Sequence, residues 1–575
     1  MEEQAVIEKC EFEEGDFMNN VFLREKKSKY LKERRFRVIL NLKKLNDYVR
    51  YQHFKIDGLD SCVSLMEPGC YMANIDIVNA YHTVRFSSDF TRYLKFRHNT
   101  QVYKYLCLPQ GFSSSPRIFT KMLRPILTHF RRKKILCSMY IDDLYLQGSS
   151  YMEVTNNISY IIQTLTSLGF EISPKSTLIP TQRLHHLGFI LDSDLWLVSL
   201  SEDKRSNIIK KASKVLTSKE ISVRCLARLI GTFVATFPAV EYGPLFYREL
   251  ELLKIKSLRT ECSFDKMVAL TPESITEIEW WINEGVYIGK PISREHPQYV
   301  IRSDASKSGW AAVMGEKVTH GTWTHDEAQQ HINVLEMKGA MFGIKALCND
   351  LKACHVQVQI DNTTAVAYVN NMGGTHSQMC NTCTKDLLLW CKERSIWLTS
   401  CHIAGVDNVE ADYYSRKKND QTEWMLDKNV FQELCMVFGY PEIDLFASRT
   451  NWQLEKYMSF VPDANAFAID SFAHKWDTYV YIFPPFNMIP RILKKIQMDE
   501  TPKVLMIIPL WESQTWWPKL CQMYIQEPYK LRNQKRLLHL PLDPSAVHPL
   551  YPKLKLAACL LSGINSSLKA CQKGL

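Results

Sequence analysis

The sequence predicts a multidomain chain of α+β and α/β units, and three observations lead there. Its 575 residues allow about four domains at ~150 residues each. Its composition, 46% hydrophobic and 23% charged, is that of folded protein and excludes wholesale disorder or a collagen-like chain. Two sets of carboxylates, far apart in the chain, sit at the ends of short apolar, strand-like runs.

The 17 Cys are scattered, about 3% of the chain against ~8–10% in disulfide scaffolds. The one C-x-x-C, Cys380 and Cys383, has no second pair to close a zinc site. These residues read as reduced intracellular thiols. The apolar stretch 229–240 is interrupted by Pro238 and is shorter than the ~18 residues of a membrane span. The acidic start M-E-E-Q-A-V-I-E-K-C lacks the basic region and apolar core of a secretory signal. An intracellular protein with no membrane partner is expected, with nothing to choose cytoplasm over nucleus.

The net charge of +10 favours an anionic partner without naming a fold. Much of it is local. Residues 24–50 carry eleven Lys/Arg against Glu25, Glu33 and Asp47, between the strand-like V-F-L and F-R-V-I-L-N-L. A basic hairpin with turn material at 28–34 is expected, suited to holding phosphates; a solvated basic loop is the plainer alternative.

The first carboxylate set follows. Segment 71–81, Y-M-A-N-I-D-I-V-N-A-Y, reads as a buried strand and a turn, with Asp76 in the strand. In S-M-Y-I-D-D-L-Y-L-Q-G (138–148), Asp142 and Asp143 lie between two apolar runs, the pattern of a β-hairpin with acids at its tip. Adjacent carboxylates repel and lose hydration on partial burial. Mg²⁺, which prefers carboxylate oxygens, relieves that cost. Two such ions could activate a 3′-hydroxyl and stabilise a leaving pyrophosphate.

These residues carry a family resemblance. Y-I-D-D (140–143) resembles the reverse transcriptase catalytic motif, and I-D-I-V-N-A-Y its earlier metal-binding motif. L-P-Q-G-F-S-S-S-P (108–116) is similar to its nucleotide-pocket motif, F-R-V-I-L-N-L-K-K-L-N (36–46) to its fingers strand, and H-L-G-F-I-L (186–191) to its primer-grip approach. The resemblance implies a right-hand polymerase, with fingers and palm at 1–200 and thumb and connection at 201–295. It implies that Asp76, Asp142 and Asp143 hold metal, and that Arg37, Lys26 and Lys27 contact the incoming triphosphate. Tyr81 takes the place of the steric gate that selects deoxynucleotides. Gln110 lines the pocket near base and template, and Lys175 faces the pyrophosphate. Asn41 departs from the Asp that many relatives carry. Within 201–295 helices are expected at 203–217 and 220–232.

The second set lies in 296–418. Y-V-I-R-S-D-A-S-K-S-G-W-A-A-V-M-G (299–315) reads as strand, turn and strand with Asp304 at the first strand's end, and 318–323 as a third strand. The helix expected at 332–347 puts Glu336, Gly339, Ala340 and Gly343 on one face. Small residues there allow close approach to the sheet. V-Q-V-Q-I-D (356–361) ends in Asp361, and S-C-H-I-A-G-V-D-N-V-E-A-D (400–412) supplies His402 and Asp412. The block resembles a ribonuclease H domain with acids Asp304, Glu336, Asp361 and Asp412, which implies two-metal hydrolysis of phosphodiesters and a role for His402 in product release or proton transfer.

The block 425–575 holds P-E-I-D-L-F-A-S-R-T-N-W-Q (441–453) and Y-V-Y-I-F-P-P-F (479–486). It resembles the methyltransferase-like α/β block that follows ribonuclease H in DIRS-like, tyrosine-recombinase retrotransposons. Adenine-N6 methyltransferases need Asp or Asn before Pro-Pro and an aromatic residue; here Phe483 stands in that place and no glycine-rich cofactor loop follows. A structural or nucleic-acid-binding remnant is expected. The resemblance as a whole implies an RNA-directed DNA polymerase with ribonuclease H, using two Mg²⁺ or Mn²⁺ per site. Its partners would be RNA template, DNA primer, RNA/DNA hybrid and deoxynucleoside triphosphates, with capsid-type and recombinase proteins encoded elsewhere. A start at the fingers implies a fragment or a host-retained copy, and the alternative function is a catalytically silent nucleic-acid-binding protein derived from a retroelement.

Overall fold

The computed structural model describes residues 1–25, 36–50, 52–417, 424–541, 543 and 545–564. The chain forms two compact units, Met1–Ser293 and Arg294–Leu575.

In the first unit, a five-stranded sheet joins Ile7–Cys10, Gln101–Tyr105, Lys95–His98, Met18–Glu25 and Phe36–Asn41 in that order. Met18–Glu25 and Phe36–Asn41 pair antiparallel, as the basic hairpin requires. Lys26, Lys27 and the turn expected at 28–34 lie outside the described residues, as does the side chain of Arg37. A second sheet, wholly antiparallel, runs Leu136–Tyr140, Asp143–Gly148, Tyr71–Asp76, Thr177–Thr181. Helices Ser115–Arg132 and Tyr151–Ser167 cover one of its faces. Phe119, Leu123, Leu127 and Phe130 from the first helix, and Val154, Ile158, Ile161 and Leu165 from the second, share one core with Ala73, Ile75, Met139, Leu144 and Leu146. Side chains alternate across a strand, so Asp76 and Asp143, next to Ile75 and Leu144, stand on the opposite face.

A third sheet (Arg183–His186, Phe189–Asp192, Leu197–Leu200, Lys290–Pro291) leads into a helical region. Its helices are Glu202–Leu216, Val223–Val234, Arg248–Thr260 and Pro272–Asn283. The helix expected from 220 begins three residues later, because Glu220–Ser222 pairs with Met267–Ala269 as a short ladder. Ser222 then caps the helix by accepting from the Cys225 amide. Buried Glu277 accepts from the amides of Glu249 and Leu250, both at 3.1 Å. It thereby satisfies otherwise orphaned donors at a helix start.

In the second unit, a five-stranded sheet has the order Lys317–Thr322, Gly309–Met314, Tyr299–Ala305, His355–Ile360, Trp397–His402. The first three strands are antiparallel neighbours and the last three parallel. Helix Ile332–Leu347 has the bounds its sequence pattern predicts. Glu336, Gly339, Ala340 and Gly343 are all buried. A Cβ on Gly343 would lie 2.2 Å from that of Ala312, and one on Gly339 3.3 Å from that of Ala305. The small residues are what let the helix touch the sheet.

The remainder of this unit forms another sheet: Ile443–Asp444, Tyr479–Ile482, Lys503–Pro509, Leu556–Leu561, Tyr529–Lys530. The first three strands are parallel, and Leu556–Leu561 enters antiparallel beside Lys503–Pro509. Helices Lys428–Phe438 and Ile489–Met498 bury apolar faces in its two cores. Arg449 joins this block to the preceding one. It donates to both carboxylate oxygens of Glu327 at 3.1 Å and to the Thr322 carbonyl at 2.8 Å. No described helix is long and apolar enough to cross a membrane.

Candidate active sites

The first site is built on the second sheet of the first unit. Tyr140 pairs with Asp143, leaving Ile141 and Asp142 as a two-residue turn. The adjacent strand places Asp76 directly opposite Asp143. Like charges so placed repel, and burial, then Asp76 and Asp142, push the Asp143 carboxyl up to about 6. Ile141 has φ +58°, a conformation that costs a β-branched residue ~1–3 kcal/mol. Core packing of its side chain helps to hold it there.

The surroundings are bolted to these acids. The Asp76 amide donates to Ser176 Oγ at 2.9 Å, and the Asp76 carbonyl accepts from the Ser173 amide at 2.8 Å. That fixes the turn bearing Lys175, whose side chain is exposed. The Ile77 amide donates to the Asp142 carbonyl at 3.0 Å. Tyr81 is half-buried, edge-on to Phe119 with centroids 5.6 Å apart. Burial, then nearby Asp142, pushes its hydroxyl up to about 12. Gln110 lies in the turn before Gly111. Gly111 has φ +105°, and a Cβ there would meet the Leu40 carbonyl at 2.9 Å. Asn46 brackets this loop: its Nδ2 donates to the Gly111 carbonyl and its Oδ1 accepts from the Ser113 amide, each at 2.9 Å. Sequence reasoning did not single out Asn46; its only signal was its position at the end of the L-N-L-K-K-L-N run.

The second site lies in the sheet and helix of the Arg294–Leu575 unit. Asp304, Glu336 and Asp361 each bring a carboxylate oxygen within 4.8 Å of the other two. Asp304 and Glu336 are each 4% exposed. Burial, then Asp361 and Asp304, pushes Glu336 up to about 9. Burial also raises Asp304, against a hydrogen bond from Ser415 Oγ at 2.5 Å. Glu336 Oε2 is buried without a hydrogen-bond partner. An orphaned oxygen among three converging carboxylates suits a divalent cation, which all three residues would hold.

Asp412 is not in that three-acid group. It sits on helix Val409–Arg416, where Arg416 Nη2 and Nε approach its Oδ1 at 2.7 Å. It still faces the site closely enough to raise Asp304. His402 ends its strand, exposed, opposite Ile360 and one residue from Asp361. Asn408 and Ser415, absent from the sequence-based set, tie this last segment to the first strand; Asn408 Nδ2 donates to the Ser303 carbonyl at 3.0 Å.

In the third block, Phe483 follows strand Tyr479–Ile482 and packs into the core with Phe486. Phe486 meets Trp511 edge-on at 5.3 Å. Fully buried Asp444 accepts from the amides of Phe446 and Gln453 at 3.3 and 3.1 Å, and burial pushes it up to about 7.

The first site lies within residues 25–191, which match the family model described as "Reverse transcriptase (RNA-dependent DNA polymerase)". Proteins to which part of the chain is similar include retrotransposon polyproteins. It is 23% identical over 158 residues to the Transposon Tf2-3 polyprotein of Schizosaccharomyces pombe, covering 28% of this chain and 12% of that one. It is 23% identical over 175 residues to the Retrovirus-related Pol polyprotein from transposon opus of Drosophila melanogaster, covering 30% and 17%. The chain thus matches only a small part of these relatives. Among solved structures it is similar to a foamy viral protease-reverse transcriptase in complex with RNA/DNA hybrid, with 16% identity, TM-score 0.41, and 67% and 50% of the two chains covered. For the same protein in complex with dsDNA the values are 16%, 0.43, 69% and 80%.

Proposed function

We propose that the chain is an RNA-directed DNA polymerase that copies retrotransposon RNA, of the DIRS-like, tyrosine-recombinase type. The observation that carries the reading is the direct pairing of Asp76 with Asp143 beside Asp142, inside the segment that matches the reverse transcriptase family. Bound Mg²⁺ would supply charge neutralisation for the attacking hydroxyl and the leaving pyrophosphate. The three carboxylates would hold it. Tyr81, packed edge-on against Phe119, would close the sugar side of the pocket against a 2′-hydroxyl. The Gln110 loop, clamped by Asn46, would line the base side, and Lys175 would meet the pyrophosphate. Arg37, Lys26 and Lys27 remain the proposed triphosphate contacts. Template RNA, DNA primer and deoxynucleoside triphosphates are the substrates. Primer extension on RNA with Mg²⁺ should vanish in Asp142→Asn; an intact chain that extends no primer overturns the proposal.

A second activity, ribonuclease H cleavage of the hybrid, is supported by the convergence of Asp304, Glu336 and Asp361. Asp412 would join them on release from Arg416, and His402, at the rim, would assist proton transfer or product release. Cleavage of the RNA strand of a hybrid should fail in Asp304→Asn while primer extension persists. For the block from 425, a structural or nucleic-acid-binding remnant is the reading: Phe483 offers no acceptor to an adenine amino group.

A further inference from the structure

From residue 90 to 141 the chain holds eleven Lys/Arg and no Asp or Glu. The helix Ser115–Arg132 lies inside this stretch. Its buried positions are Ser115, Phe119, Leu123, Leu127 and Phe130. Arg117, Lys121, Arg124 and Arg132 fall on the other side of the helix, with Thr128 continuing the row. Lys121, Arg124, Thr128, His129 and Arg132 are exposed. Among the described residues no ion pair ties up Lys121, Arg124 or Arg132, whereas Arg131, on the flank, is taken by Asp57 at 2.9 Å. Lys121, Arg124, Thr128, His129 and Arg132, with Met122 and Pro125 between them, border a shallow, open groove on this face of the helix. His129 at its rim is held by Tyr160, Nε2 to hydroxyl 2.6 Å.

The location matters as much as the charge. The helix packs on the face of the sheet that bears Ala73 and Ile75, and Asp76 and Asp143 occupy the other face. A nucleic acid engaged at those acids is separated from the groove by one sheet and one helix. We infer that this groove is a second, sequence-independent binding surface for the sugar-phosphate backbone of a nucleic acid strand outside the catalytic cleft. Unpaired guanidinium and ammonium groups in a row match a chain of phosphates. From Arg117 to Arg132 the helix rises ~22 Å at 1.5 Å per residue, which matches the axial rise of about six base pairs of a B-form duplex at ~3.4 Å each. The inference does not depend on the polymerase reading, since none of these residues is at the acids.

The test uses the full chain, a labelled unstructured 30-nucleotide RNA and a labelled RNA/DNA hybrid, with fluorescence anisotropy across a salt series. The variants are Lys121→Glu/Arg124→Glu/Arg132→Glu and the neutral Lys121→Gln/Arg124→Gln/Arg132→Gln, each checked for an unchanged thermal melt. Loss of three phosphate contacts should flatten the log–log salt slope by about 2 for single-stranded RNA and by nearly 3 for a duplex, at roughly 0.7 and 0.9 per contact. The arm with the larger change identifies which form of nucleic acid the groove holds. Affinity at moderate salt should fall at least tenfold in the Glu variant and less in the Gln variant. Unchanged affinity and slope in a folded Glu variant overturn the inference. So does a loss confined to phosphatidylserine vesicles with RNA and hybrid binding intact, which would make the groove a membrane contact.

Discussion

Glu336→Gln separates the electrostatics of the second site from its chemistry. In wild type without metal, the carboxyl takes its proton near pH 9, against an ordinary 4.5. Across that window the folded chain holds a proton that the unfolded chain has released, so stability must fall as pH rises from 4.5 towards 9. The slope is about 1.4 kcal/mol per pH unit, or about 3 kcal/mol between pH 5.5 and 8. Glutamine does not titrate there. Urea unfolding in chelator, followed by tryptophan fluorescence at several pH values, should therefore show the variant gaining on wild type by about 3 kcal/mol over that interval. Whatever fixed cost the buried amide carries cancels from this difference. Added Mg²⁺ should favour wild type: at tenfold above its dissociation constant it stabilises wild type by about 1.4 kcal/mol, and the variant much less. Parallel pH profiles in chelator, or equal stabilisation by Mg²⁺ in both proteins, would refute the placement of Glu336 as a buried metal-holding acid.

Four other outcomes follow from packing and charge. Gly343→Ala puts a Cβ 2.2 Å from that of Ala312, so it should cost at least about 3 kcal/mol and lower hybrid cleavage, read by melting and by nuclease assay. Gly111→Ala combines φ +105° with a 2.9 Å approach to the Leu40 carbonyl; a loss of about 2 kcal/mol or more is expected, with primer extension weakened through a higher KM for nucleotide. Arg449→Met should destabilise the second unit by about 3 kcal/mol. Burial opposes ionisation of Glu327, but Arg449, the Thr324 amide and Lys338 together hold it below its ordinary 4.5. Its contribution is therefore present above pH 4.5 and disappears on acidification below it, and the gap between Arg449→Met and wild type should close there. Tyr81→Ala should raise incorporation of ribonucleotides relative to deoxynucleotides at least tenfold, measured by single-nucleotide extension; an unchanged ratio removes Tyr81 as the gate.

Strand alternation and the spacing of acids made the elements around both sites legible. The hairpin at 136–148 and the helix Ile332–Leu347 follow from local pattern, because apolar period and small residues act within a few positions. Register did not follow. That Asp76 faces Asp143 depends on a pairing between strands far apart in the chain. The same holds for Asn46, whose partners Gly111 and Ser113 lie 65 and 67 residues on, and for Ser415, 111 residues from Asp304. The pairing of Asp412 with Arg416 is local, an i,i+4 contact readable from spacing alone. Strand Leu556–Leu561 was missed because L-A-A-C-L-L, buried throughout, shows no alternation to mark it as sheet.

The two sites reach the same end by different means. In the first, a tight turn forces Ile141 into a strained conformation and places Asp142 and Asp143 consecutively at a strand start, opposite Asp76. The strain is local, and the core beneath the hairpin sustains it. In the second, no residue among Asp304, Glu336 and Asp361 has a positive φ. The acids converge because Gly339 and Gly343 let a helix lie against the sheet more closely than side chains would allow. Both arrangements bring like charges together and bury part of them, which raises Asp143, Asp304 and Glu336 alike. Folding alone gains nothing from such proximity. Repulsion repeated at two sites of different construction is what a cation bound at each would relieve. At Glu336, whose buried oxygen lacks a hydrogen-bond partner, such an occupant would relieve the most.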